Sequence, residues 1–257
     1  MKTAVRPRTT PSQINGLAYY RHLLANRPHP LENLDALAIM IPHRRGEEIC
    51  SQGRQVESWY LVISGAARRC AIRPDGRRQI VDLLLPGDFC GVAIGEEWDA
   101  TIEAVAEETV VAAYPRRRIE TLADSNPKIA REIRQIAFAA LSRLQSQLLI
   151  LGRITALEKV GSFLLEMAAR LSDGDADHVA LPVSRYDIAD YLGVSVETVS
   201  RSLSDLKHRG VIKLQGTRSV SIVDRDVLEE GERHEHRCHG VSCLTPRPIG
   251  GSTRPRF

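Results

Sequence analysis

The dipeptide Asn126-Pro127 divides the chain into two kinds of sequence that no single regular element can hold. Before it, Gly46, Gly53, Gly65, Gly76 and Gly87 recur roughly every ten residues, the spacing of turns between short strands. Residues 58–63, 79–84 and 109–114 have strand character, and Asp75-Gly76 between two such runs signals a hairpin. Short strands joined by turn chemistry predict an antiparallel sandwich or barrel over residues 31–126. After the dipeptide, Ile129, Ile133, Ile136, Ala140, Leu144, Leu148 and Leu151 form one helical stripe. Asn126 can cap that helix, and Pro127 fits its first position.

The helix predicted over residues 127–151 is about 37 Å long at 1.5 Å per residue. Ala137 and Leu141 widen its apolar stripe. Part of so wide a stripe can lie on the strand domain, and the remainder predicts packing on a second copy. Ile133, Ile136, Ala140, Leu144 and Leu148 are the candidate dimer contacts. A helix buried within one protomer is the alternative reading of the same periodicity. Gly152 interrupts the pattern, and Thr155 with Glu158 has capping-box spacing for a second helix running to about Leu171.

With 257 residues, 43% of them hydrophobic and 26% charged, the chain can bury two modest cores, and wholesale disorder is excluded. Lys and Arg number 35 against 32 acids, so the net charge of +3 identifies no partner and the distribution must be read instead. No apolar run reaches the roughly 18 residues of a membrane span, and the N-terminus lacks the apolar core of a secretory signal. Five widely spaced cysteines give no disulfide framework, which fits a cytoplasmic protein. Residues 1–30 read as a mobile basic arm, either a solvated tail or a nucleic-acid contact. In residues 231–257 the types His234, His236, Cys238, His239 and Cys243 suit zinc. The segment is poor in apolar residues, however, and a disordered tail without metal is expected.

Residues 184–209 carry the functional signal. Ser184 and Asp187 open one short helix, Gly193 stops it, and Ser195 caps a second. Two short helices joined by a tight turn make a helix-turn-helix within residues 152–230. On the second helix Val199, Leu203 and Leu206 face inward, while Glu197, Ser200, Arg201 and Ser204 make one polar ridge. A recognition helix in a major groove needs such a ridge near its N-terminal end. Arg can donate twice to guanine, and Glu can accept from cytosine. Glu197, Ser200 and Arg201 are therefore the candidate base readers. Ser184, Arg185, Ser195, Lys207 and Arg209 are candidate contacts to the DNA backbone. A surface ion pair between Glu197 and Arg201 is the alternative. Residues 211–214 and 219–222 read as two strands of a wing, from which Lys213 and Arg218 can reach phosphates; a plain surface hairpin is the alternative.

A glycine-punctuated β-roll, a long helix and a C-terminal winged helix-turn-helix resemble the CRP/FNR superfamily of transcription regulators over about residues 31–227. Pro86-Gly87-Asp88-Phe89-Cys90-Gly91 resembles that family's PGDxxG turn, and Leu181-Pro182-Val183 its short lead into the first motif helix. Glu197-Thr198-Val199-Ser200-Arg201 matches the E-x-x-S-R pattern of the FNR and FixK branch; the cyclic-AMP branch has Arg where Val196 stands and Gly where Ser200 stands. The fold class implied is α+β: a jelly-roll-like β-roll sensor domain, a dimerisation helix and a winged helix-turn-helix. The function implied is a homodimeric activator that binds double-stranded DNA at TTGA-type palindromes and works with RNA polymerase. By the resemblance, Arg201 and Glu197 read a G·C pair and Ser200 lies against thymine. Two-fold symmetry sets the half-sites roughly 34–36 Å apart.

The family's β-roll often binds a cyclic nucleotide through an arginine. From Gln79 to Pro115 this chain has eight acids and no Lys or Arg, so repulsion of a phosphate is expected unless a distant arginine reaches in. No cysteine precedes Cys50, so the four-thiolate iron–sulfur ligation of FNR is not expected. Cys50, Cys70 and Cys90 read as small buried residues, with a redox role as the alternative. The expectation is a FixK-like regulator without a cofactor, set by its own abundance; an effector- or metal-gated sensor with the same DNA output is the alternative. The sequence has no H-E-x-x-H, Walker loop or nucleophile elbow, so no enzyme class finds support.

Overall fold

The structure is a computed structural model that describes residues 29–72, 76, 78–92, 95–171 and 177–233. Most of the basic arm, and the His/Cys-rich tail from His234 onward, lie outside the described residues. A 3-10 turn, Glu32–Leu37, leads into eight strands: β1 (Ile39–Arg44), β2 (Glu48–Cys50), β3 (Ser58–Ser64), β4 (Ala67–Ile72), β5 (Arg78–Leu84), β6 (Phe89–Cys90), β7 (Thr101–Ala104) and β8 (Glu108–Pro115). They form two antiparallel four-stranded sheets, ordered β1-β8-β3-β6 and β2-β7-β4-β5. The strand β8 is buried over six consecutive residues, because β1 and β3 flank it and its two faces are covered. Trp59 pairs with Tyr114 and Leu61 with Ala112 across β3 and β8. The register shifts between Val62 and Ser64. Gly65 then turns the chain with φ +74°, where a Cβ would stand 2.4 Å from the Glu108 carbonyl oxygen, so only glycine fits.

The sandwich ends in α1 (Arg116–Ser125), which the sequence reading missed. Only Ile119 of that helix is buried, so it offers no periodic apolar stripe to read. Next comes α2 (Pro127–Leu151), as predicted, with Pro127 in its first turn and the Asn126 side chain accepting from Lys128 N–H at 3.0 Å. Its inward face corrects part of the predicted dimer stripe. Ile136 is 3% exposed in the sandwich core, with Ile133 packed against the same core. Ala140 is half-buried beside Arg143 in the cavity between helix and sandwich. The inward residues run 129, 133, 136, 140, 143, 147 and 150, so two of the seven are the polar Arg143 and Gln147. An apolar-only reading passes from Ala140 to Leu144 and Leu148, which stand outside that row. Leu144 and Leu148 are exposed, together with Phe138, Leu141 and Leu149. The exposed apolar face of α2 is therefore Phe138, Leu141, Leu144, Leu148 and Leu149.

Beyond Gly152 the chain forms α3 (Ala156–Leu171), β9 (His178–Ala180), α4 (Arg185–Leu192), α5 (Val196–His208), β10 (Ile212–Gln215), β11 (Ser219–Ile222) and α6 (Arg225–Arg233). The predicted capping box of α3 is present: Thr155 N–H donates to Glu158 Oε2 at 2.9 Å, and Glu158 N–H to Thr155 Oγ1 at 3.2 Å. The helix α3 is the scaffold of this half, with Val160, Phe163, Leu164 and Met167 at most 1% exposed. Strand β9 joins the two wing strands in the order β10-β11-β9. The core of this half continues into the outer side of the second sheet, where Cys70, Ile80 and Leu83 belong to the same cluster as Leu164, Ile188 and Leu192. Apolar packing therefore fixes the C-terminal half against the sandwich. Among the described residues no helix is long and apolar enough to cross a membrane.

Candidate DNA-binding interface

Local hydrogen bonds explain why Ser184 to His208 folds as two short helices joined by a tight turn. Ser184 and Asp187 cap α4 reciprocally: Asp187 N–H donates to Ser184 Oγ at 3.2 Å, and Ser184 N–H to Asp187 Oδ2 at 2.9 Å. Gly193 ends α4 in the left-handed region with φ +66°. The Ser195 side chain then accepts from Thr198 N–H at 3.1 Å and starts α5. Val199, Leu203 and Leu206 of α5 are at most 3% exposed. Ala189, also buried, allows the close approach of α4.

The opposite face of α5 is open. Glu197, Arg201 and Ser204 are exposed, and Ser200 is half-buried between them. The Glu197 carboxyl is held below its ordinary range chiefly by its own backbone N–H and by Ser195, with the Arg201 charge adding least. The glutamate therefore stays ionised, and it is not committed to Arg201. Arg185 Nη1 donates to Ser200 Oγ at 3.2 Å, so this predicted backbone contact reaches across to the ridge itself. Lys207 is exposed, and Arg209 pairs on the surface with Asp205 at 2.8 Å. Lys213 is exposed on β10, and Arg218 is half-buried in the turn before β11. Ser184 differs from the expectation for a phosphate contact, because its hydroxyl is directed to Asp187 Oδ2 at 2.6 Å.

The sequence reading missed what fixes this motif to the sandwich. Arg68 of β4 pairs with Asp187 and, at 2.8 Å, with Glu103. Arg78 of β5 pairs with Asp190 at 2.8 Å. The signal available in the sequence was Asp187 and Asp190, one helical turn apart on a helix otherwise read for its apolar side. Burial pushes the Asp187 carboxyl up, but the two Ser184 hydrogen bonds and Arg68 outweigh it and hold the group below its ordinary value near 3.8. A depressed folded value means that this stabilisation is complete above the unfolded value and is lost as pH falls through the folded one. Urea unfolding between pH 7 and pH 3 is expected to show that acid-side loss in the unmodified chain and a smaller one in Asp187→Asn.

Comparison with known proteins decides the family. The family described as "Crp-like helix-turn-helix domain" matches residues 158–230, and "Cyclic nucleotide-binding domain" matches residues 41–126. The chain is 42% identical over 202 residues to the nitrogen fixation regulation protein FixK of Azorhizobium caulinodans, covering 77% of this chain and 81% of that protein. It is 35% identical over 190 residues to FixK of Rhizobium meliloti, covering 74% and 85%. The solved structure of FixK2 from Bradyrhizobium japonicum superposes with a TM-score of 0.71 at 37% identity, covering 75% of this chain and 96% of that one. The chain belongs to the CRP/FNR family, in its FixK-like branch. It is a DNA-binding transcription activator of the FNR/FixK type, from a family of regulators rather than enzymes.

Membership in that family raises the question of a cyclic nucleotide, and the residues present do not fit one. The space between α2 and the sandwich is about 80 Å³, against roughly 300 Å³ and more for small-molecule sites. Two arginines from outside residues 79–115 do reach in, the case the sequence reading left open, and each is already taken. Arg69 pairs with Asp99, and Arg143 with Asp82 and Asp88, both at 3.3 Å. An entering phosphate would have to displace these carboxylates and the Trp98 side chain, which is 5% exposed. The three described cysteines are poorly suited to a thiolate role as well. Burial pushes Cys50 up to about 12 and raises Cys70 and Cys90, so the thiols stay protonated. Among the described residues no three His, Cys, Asp or Glu side chains gather as a metal site.

Proposed function

We propose that this FixK-like regulator acts in the cytoplasm as a homodimer, placing α5 of each protomer in successive major grooves of a TTGA-type palindrome. Glu197 and Arg201 read a G·C pair and Ser200 meets a thymine. Arg185, Ser195, Lys207, Arg209, Lys213 and Arg218 hold the backbone, and Ser184 acts through its cap. The observation that carries this reading is the open polar ridge of α5 above a fully buried opposite face. The exposed apolar row of α2 supports the dimer, since Phe138, Leu148 and Leu149 are each at least 64% exposed on one helix. The dimer presents two reading heads to DNA and a surface for RNA polymerase, without an iron–sulfur cluster. The effector-gated alternative finds no support in a cavity closed by its own ion pairs.

The test is a salt titration of duplex binding by fluorescence anisotropy. The palindrome is expected to be bound more tightly than scrambled DNA at every salt concentration. Lys213→Ala is expected to weaken both duplexes alike and to reduce the slope of log K against log salt by about 0.9 per lost phosphate contact. Equal affinity for palindrome and scramble in the unmodified chain would contradict the reading, and an unchanged slope would remove Lys213 from the backbone contacts.

A further inference from the structure

A chain of polar side chains crosses the molecule from α2 to the reading motif, and none of them belongs to the α5 ridge. Arg143 on the inward face of α2 donates from Nη1 to Asp88 Oδ1 at 3.3 Å. Asp88 closes the Pro86-Gly87 turn, where its Oδ2 accepts from Leu85 N–H at 2.7 Å and from Arg170 Nη2 at 2.5 Å. Arg170 lies in α3, and its Nη1 donates to Glu166 Oε1 at 3.2 Å. The other oxygen of Glu166 accepts from the Tyr191 hydroxyl of α4 at 3.4 Å. Tyr191 is 1% exposed, with its ring 5.7 Å from that of Phe163. Five side chains thus connect the open apolar helix, the sandwich, the scaffold helix and the first helix of the reading motif.

The four charged members are each at most 18% exposed. Charges removed from water are tolerated only in the geometry that pairs them, so such a chain favours one angle between its ends and penalises its neighbours. Apolar packing also joins the two halves here, but it is non-directional, so the paired charges add the angular preference. A dimer that reads two half-sites needs that angle, because half-site spacing on DNA mirrors the separation and direction of the two recognition helices.

We propose that Asp88, Arg170, Glu166 and Tyr191 are positioning residues that fix the direction of α5 relative to α2, and so set which half-site spacing the regulator accepts. This rests on the homodimeric reading given above. The test measures affinity for three duplexes: the palindrome bound best by the unmodified chain, and the same palindrome with one base pair added or removed between the half-sites. The unmodified chain is expected to discriminate between them. Asp88→Asn is expected to cut that discrimination by about tenfold, mostly through weaker binding at the preferred spacing, while binding of unrelated DNA stays unchanged. Tyr191→Phe keeps the ring and removes one hydroxyl. It is expected to move the same ratio the same way by less, and it carries the test if Asp88→Asn folds poorly. Folded, dimeric variants that keep the full discrimination would overturn the proposal, and so would an equal loss on all three duplexes. An unmodified chain indifferent to spacing would instead refute the homodimeric reading.

Discussion

Replacing Arg201 by alanine is expected to weaken operator binding more than any other single change on the α5 ridge. A bidentate contact to guanine discriminates by about 1–3 kcal/mol, and a palindrome has two of them. The dimer therefore loses roughly 2–6 kcal/mol, at least about 30-fold in affinity. Arg201 is exposed and supports no core contact, so the thermal unfolding of the variant should match that of the unmodified chain. Titration of duplexes carrying each base at the guanine position checks this. The unmodified chain should prefer guanine, and Arg201→Ala should show a much weaker preference, with only the Glu197 contact to cytosine left. An undiminished guanine preference would move the reading role of Arg201 to another residue.

The second large effect is expected at the open face of α2. Leu148 is 67% exposed in the protomer, so Leu148→Glu should leave the protomer fold intact. In a dimer packed through that face the substitution places one carboxylate from each copy near the two-fold axis, buried and unpaired. Sedimentation is expected to show a monomer where the unmodified chain is a dimer. Affinity for the palindrome should fall toward the non-specific range, roughly 10⁻⁴–10⁻⁶ M at physiological salt. Ile136→Glu, which the apolar periodicity would rank as equivalent, should instead unfold the sandwich, because Ile136 is 3% exposed in that core. A dimeric Leu148→Glu would assign dimerisation to another surface.

The contrast between these two positions shows where sequence reasoning reaches and where it stops. Local signals were legible. The strands read at 58–63, 79–84 and 109–114 are β3, β5 and β8 to within a residue at each end. Asn126, Thr155, Ser184 and Ser195 each cap the helix assigned to them, since a cap depends only on neighbours in the chain. Short or sparsely buried elements escaped: β2 and β9 have three residues each, and α1 buries one. Partnership across long separations escaped as well. Arg143 and Gln147 are inward because Asp82, Asp88 and the Ile80 carbonyl await them, which hydrophobic periodicity does not encode. The buried Asp187 finds Arg68, 119 residues away, so its second role was invisible in a capping motif. The polar ridge of α5 was legible for the opposite reason: it is a surface feature of one helix, spaced at i, i+3, i+4 and i+7.

In the proposed function the α5 ridge distinguishes one base edge from another. Selection of binding sites from random duplex DNA, at a fixed salt concentration, measures whether it does. The selected pool is expected to converge on palindromes with TTGA-type half-sites about one helical turn apart. A pool enriched only for general affinity, with no shared half-site, would contradict it.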